Sequence, residues 1–147
     1  MKRRELVSDI MTRDIYKIEV TTPLRKVSEI LAKHKIRHLP VVSNDKLLGI
    51  ISLSDIMRMS FGSNFGEEES DVDEAIFEML SVKQIMRVNV TTVSPNQKIS
   101  EAAEILTSNE FHALPVVLGD KLQGIITTTD IIKFLLEEYK ESKVGVE

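Results

Sequence analysis

Leu39-Pro40-Val41-Val42, Gly49-Ile50-Ile51 and Asp55-Ile56 recur, in the same order and spacing, as Leu114-Pro115-Val116-Val117, Gly124-Ile125-Ile126 and Asp130-Ile131. The offset is 75 residues, and it aligns Val7–Met57 with Val82–Ile132 without a gap. Eighteen of those 51 positions are identical, and 12 of them fall in the 18-residue window that opens at Leu39. Chance does not give that density, so the chain is an internal duplication. Two units are too few to stack as a solenoid, so each is expected to complete its core on the other.

Each copy follows one pattern. Ile15-Tyr16-Lys17-Ile18-Glu19-Val20 alternates apolar and polar residues and predicts a half-buried strand. Thr22-Pro23 suits a helix N-cap and first helical position. Val27, Ile30, Leu31 and His34 then recur at helical spacing, as do Ala102, Ile105, Leu106 and Asn109. Leu39–Ser43 and Leu47–Ser52 predict two strands joined across Asn44-Asp45-Lys46, with Gly119-Asp120-Lys121 as the second turn. A closing helix is expected from near Ser54 and from near Thr129, the second running further, through Leu136 and Tyr139. The predicted fold is mixed α/β (α+β), two βαββα repeats packed about a pseudo-twofold axis with a cleft on either side, where ligand sites tend to form. The expected divisions are 1–60 for the first repeat, 61–75 for an acidic flexible linker with Glu67-Glu68-Glu69, 76–140 for the second repeat, and 141–147 for a frayed tail.

Composition narrows the function. The 147 residues are 42% hydrophobic and 29% charged, with no Trp and few aromatics, so aliphatic side chains must fill the core. A formal charge of −4 argues against a general nucleic-acid or anionic-membrane binder. The absence of cysteine removes disulfides, thiolate metal sites and a thiol nucleophile, in keeping with a reducing compartment. The basic start leads into no long apolar run, and no stretch approaches the roughly 18 apolar residues of a membrane span, so a cytoplasmic protein is expected. Phosphate-binding and dinucleotide glycine loops, H-E-x-x-H and G-x-S-x-G are all missing, and the three histidines are scattered, so no enzyme is expected.

The Ile10-Met11 and Ile85-Met86 starts, the Leu-Pro-Val-Val strands preceded by Arg37-His38 or His112-Ala113, and the Gly-Ile-Ile endings that lead to Asp-Ile resemble the cystathionine-β-synthase (CBS) domain. Two in tandem resemble a Bateman module. The likeness covers about Val7–Ser60 and Val82–Leu136 and implies a stand-alone CBS pair. Proteins of that family commonly hold adenine nucleotides or related adenosyl compounds in their clefts as regulatory signals. The candidate ligands are therefore AMP, ADP, ATP or another adenosyl compound, with no cofactor required. Helical faces often join such pairs into discs, so a homodimer is implied, and an unknown protein partner is compatible with it.

The resemblance also carries over site positions. Ser52, Ser54 and Asp55, with Thr127, Thr129 and Asp130, match the ribose-phosphate element. Asp14, Ile15 and Tyr16, with Asn89, Val90 and Thr91, match residues lining a base pocket, as do Ile36 and Phe111. The chemistry is consistent: a carboxylate accepts both hydroxyls of a ribose cis-diol, and the Ser or Thr hydroxyls with helix-start N–H groups suit a phosphate. Arg37 aligns with His112 as the preferred phosphate pair, and His38 and Lys121 add positive charge. Tyr16 is bulkier than Thr91 and would make the two sites unequal.

Plainer roles compete with these. A hydroxyl N-cap followed by an acid in the first turn is ordinary helix chemistry. Gly49 and Gly124 permit a close approach, whether by a ligand or by another part of the chain. Pro40 and Pro115 are expected to shape the entry to their strands, and His34 to sit at a core edge. No metal site is expected, since His38 and His112 occupy non-equivalent positions. The alternative to a nucleotide sensor is a dimerising protein-interaction scaffold that never holds a ligand.

Overall fold

The duplicated strands pair as their sequences predict, but the segment leading into each repeat packs with the other. The computed structural model describes residues 4–61, 75 and 77–145; residues 62–74, which hold most of the acidic connector, lie outside them. The elements run as α1 (Val7–Ile10), β1 (Ile18–Glu19), α2 (Leu24–His34), β2 (His38–Ser43), β3 (Lys46–Ser52), α3 (Leu53–Phe61), α4 (Val82–Ile85), α5 (Ile99–Ser108), β4 (Ala113–Leu118), β5 (Lys121–Thr127) and α6 (Thr128–Gly145). They divide into two compact units: Tyr16–Val90 forms one, and Met1–Ile15 joins Thr91–Glu147 in the other. Thus α4 and the residues after it belong with the strands of the first repeat, and α1 with those of the second. The sequence repeat and the packing unit are different divisions of the same chain.

In the unit of the first repeat, β1 runs parallel to β2 (Ile18 opposite Val41), and β2 pairs antiparallel with β3. The two-residue turn Asn44-Asp45 has φ of 50° and 68°, the paired positive values of a tight hairpin turn that Asn and Asp tolerate. In the other unit, β4 and β5 repeat the same register, with Gly119 at φ 67° in the turn. Both hairpins carry a bulge at the same place, leaving Leu48 and Gln123 without a cross-strand partner. Of the predicted first strand only Ile18–Glu19 is paired, and its counterpart is a single parallel bridge from Val93 to Val116.

Pro40 and Pro115 lie inside their strands rather than before them, opposite Ile50 and Ile125. The ladder explains why this is tolerated. Ile50 exchanges both backbone bonds with Arg87, at 3.0 and 2.8 Å, and Ile125 does the same with Thr12, at 2.9 and 2.8 Å. Their N–H and C=O groups point away from the prolines, so the missing proline N–H removes no bond between the hairpin strands.

Those exchanges also account for the glycines. A Cβ built on Gly49 would lie 2.5 Å from the Arg87 carbonyl oxygen, and one on Gly124 would lie 2.5 Å from that of Thr12. The approaching group is therefore the leader backbone. Each leader also supplies apolar side chains. Val7 and Met11 join Ile99, Ala102, Leu106, Leu114, Val116 and Ile126 in one core, and Val82 joins Leu24, Val27, Leu31, Leu39, Val41 and Ile51 in the other.

Helix boundaries differ in detail. Pro23, at ψ 142°, is the N-cap of α2, and the helix begins one residue later than Thr22-Pro23 suggests, because Pro23 is still extended. The closing helices start at Leu53 and Thr128, and α6 continues past Lys140 to Gly145, where a frayed tail was expected. No Gly or Pro interrupts it before Gly145, Arg4 pairs with Glu137 at 2.8 Å, and Lys143 favours the negative end of the helix dipole. No helix among the described residues is long and apolar enough to cross a membrane.

Gly124→Ala forces a methyl group against a paired backbone and should cost about 2 kcal/mol or more. Gly119→Ala meets open space and carries only the left-handed backbone penalty, about 1 kcal/mol. Urea denaturation of both variants tests the order; equal losses would mean that the leader does not constrain Gly124.

Candidate functional site

Asp55 and Asp130 occupy the same place in their units, three residues after a hydroxyl residue that ends a strand. The Asp55 N–H donates to Ser52 Oγ, and the Asp130 N–H donates to Thr127 Oγ1, each at 3.0 Å. The capping hydroxyls are therefore Ser52 and Thr127 rather than Ser54 and Thr129, because the helices begin just after the strands. Ser54 and Thr129 stand exposed in the first turn. The helix starts are also less open than expected: Leu53 N–H donates to the Arg37 carbonyl at 2.8 Å, and Thr128 N–H to that of His112 at 3.0 Å.

Beyond this shared frame the two carboxylates are held differently. Asp130 closes a reciprocal box, its Oδ2 accepting from Thr127 N–H at 3.0 Å. The Thr12 hydroxyl lies 3.1 and 3.2 Å from its two oxygens. Among the described residues the donors at Asp130 are thus uncharged. At Asp55 the residue aligned with Thr12 is Arg87, whose guanidinium donates to Oδ1 at 3.2 Å, and Arg58 reaches the same oxygen at 3.5 Å. The Asp55 side chain is only 7% exposed, while those of Arg87 and Arg58 are 65% and 67% exposed. Its Oδ2 is buried and has no hydrogen-bond partner among the described residues, so the reciprocal box is left half made. An unmet buried acceptor costs roughly 1–3 kcal/mol.

The other sequence candidates are distributed by the exchange of leaders. Asp14 and Ile15 fall in the unit of Asp130, together with Thr91, Phe111 and His112; Tyr16, Ile36, Arg37, Asn89 and Val90 fall in the unit of Asp55. Tyr16 stacks on His34, with ring centroids 4.0 Å apart, which gives the core-edge histidine a definite partner. Ile36 packs against its core, whereas Phe111 and His112 are exposed. Thr12 and Arg87 were not among the candidates. The signal was present, since they follow the repeated Ile-Met pairs, but only the fold carries them to the carboxylate of the other repeat. Among the described residues, no group of three His, Cys, Asp or Glu side chains could hold a metal ion.

Burial pushes the Asp55 carboxyl up, but the Ser52 hydroxyl, Arg87 and Arg58 together overcome this and hold it below the ordinary value of 3.8. The unfolded chain therefore takes up this proton at higher pH than the folded one. The stability that Asp55 contributes is complete above about pH 4 and is lost as pH falls through the lowered folded value. The difference in unfolding free energy between the wild type and Asp55→Asn should shrink below that pH in urea titrations; a gap constant from pH 7 to 2.5 would show that the ion pair does not act.

Comparison with known proteins fits this arrangement. The model of the CBS domain family matches residues 7–62 and 82–137. The uncharacterized protein MJ1232 of Methanocaldococcus jannaschii is 33% identical over 137 residues, which are 92% of this chain and 41% of that protein; the chain thus spans about two fifths of its length. A Vibrio cholerae crystal structure assigned to acetoin utilization (AcuB) superposes with a TM-score of 0.77 at 29% identity, covering 96% of this chain and 97% of that one. The CBS domain pair of protein MJ0100, solved with 5′-methylthioadenosine and S-adenosyl-L-methionine, superposes with a TM-score of 0.65 at 26% identity, covering 88% and 98%. With the family's model matched twice over most of its length, the chain belongs to the CBS domain family and carries two CBS domains in tandem.

Proposed function

We propose that the chain is a regulatory binding module, without catalytic activity of its own, that takes an adenine nucleotide or adenosyl compound through the carboxylates of Asp55 and Asp130. The observation that carries this is the setting of Asp130. It lies where a strand passes into a helix, half-buried, with both oxygens engaged, among the described residues, by a hydroxyl and an amide. A ribose diol offers two O–H donors that can replace the Thr12 hydroxyl without leaving a charge unpaired. The exposed hydroxyls of Ser54 and Thr129 stand one residue before the carboxylates. The adenosyl ligands named for the MJ0100 pair support the same chemistry. Bound ligand would then shift the arrangement of the repeats, or of two protomers, only as far as its affinity for the alternatives differs.

A second copy of the chain is proposed as the partner. Ile132, Leu135, Leu136 and Tyr139 form one stripe on α6 at helical spacing, each 53–58% exposed. An apolar stripe of this kind suits a partner-facing surface.

Two outcomes are expected. In a thermal-shift panel, AMP, ADP, ATP and adenosyl sulfur compounds should raise the melting temperature more than guanine nucleotides do. Asp55→Ala and Asp130→Ala should each remove about one equivalent of binding in calorimetry while circular dichroism stays native. A flat panel, or unchanged titrations of both variants, would favour the ligand-free scaffold. Leu135→Lys should halve the particle mass seen by light scattering; an unchanged mass would exclude α6 as the dimer face.

A further inference from the structure

We infer that Arg87 sets the two carboxylate sites apart in ligand class, making the Asp55 site one for phosphate-bearing nucleotides while the Asp130 site accepts the uncharged nucleoside about as well. This rests on the proposal that both carboxylates take a ribose, and adds what distinguishes them.

Three aligned positions change together. Thr12 at Asp130 becomes Arg87 at Asp55; His112 becomes Arg37; Lys133 becomes Arg58. Each arginine belongs to the compact unit of Asp55. Arg87 and Arg58 touch the carboxylate, and the Arg37 carbonyl receives the first N–H of α3. With Arg87 and Arg58 the Asp55 carboxylate forms a cluster of formal charge +1, whereas Asp130, with Lys133 in the place of Arg58 and a threonine in the place of Arg87, forms one of charge 0. A phosphate is drawn to the first and gains little at the second, and the difference is the charge of Arg87.

The geometry makes Arg87 more than a background charge. Its guanidinium engages one oxygen of Asp55 singly, and the other oxygen is buried without a partner among the described residues. To accept a diol, the Asp55 carboxylate must turn outward and release Arg87. An uncharged nucleoside leaves that guanidinium without its counter-charge, whereas a nucleotide supplies a phosphate in its place, with geometry that arginine matches well. Because two-thirds of the Arg87 side chain is exposed, it is free to make that transfer. At Asp130 the displaced group is a neutral hydroxyl, which water satisfies, so a phosphate brings no comparable gain.

The test is calorimetry of AMP and adenosine against variants that leave one site intact. In Asp130→Ala, which keeps the Asp55 site, AMP should bind about tenfold or more tightly than adenosine, the difference expected of one charge-assisted contact. In Asp55→Ala the two ligands should agree within about threefold. Arg87→Thr on the Asp130→Ala background installs the residue used at Asp130 and should remove most of the AMP preference; Arg87→Lys should retain much of it, and circular dichroism checks the fold of both. Equal AMP-to-adenosine ratios at the two sites, or a ratio untouched by Arg87→Thr, would overturn the inference and leave adenosyl binding standing. No binding of either ligand to the wild type would overturn both.

Discussion

One short backbone exchange ties the leader into each unit: Thr12 with Ile125 in one, and Arg87 with Ile50 in the other. Each brings a leader alongside the last strand of the other repeat, over a glycine where a side chain would collide. The same exchange turns the isoleucine backbone groups away from the facing proline and so makes a proline tolerable inside a strand. It also carries residue 12 or 87 to the carboxylate at the end of that strand. Gly, Pro, leader and Asp are thus parts of one device, used twice.

The dominance of this device follows from size. A repeat of about 50 residues buries too little apolar surface to be stable alone. Val7 and Met11, or Val82 with its half-buried neighbours Ile85 and Met86, complete a core whose other members come from the other repeat. A covalent connection between the repeats thereby becomes a packing requirement, and each leader reaches the carboxylate end of the other repeat.

Duplication supplies two equal frames, and divergence at a few positions makes them unequal. The hairpin registers, the bulges and the left-handed residues Lys35 and Glu110 that follow the helices are held in common. The carboxylates are not. A hydroxyl at residue 12 leaves Asp130 in a closed reciprocal box with neutral donors, while a guanidinium at residue 87 pairs with one oxygen of Asp55 and the other has no partner among the described residues.

The sequence by itself determined the duplication, the hairpins, the α2 stripe and the two aspartates. All of these rest on local periodicity, turn chemistry or identity at a fixed offset, and each is legible within one repeat. It also carried the family, through Leu-Pro-Val-Val and the Gly-Ile-Ile endings. Only the tertiary structure decided that leaders are exchanged, that Gly49 and Gly124 face backbone, that Ser52 and Thr127 do the capping, and that Thr12 and Arg87 meet the carboxylates. The capping rests on where strand passes into helix, one residue either way; the others depend on contacts between residues more than 30 positions apart, where no periodicity operates and where alignment of the repeats pairs each leader with its own copy. The physical reason is that a half-core chooses its partner by the surface left to bury, and that surface does not exist until the strands have formed.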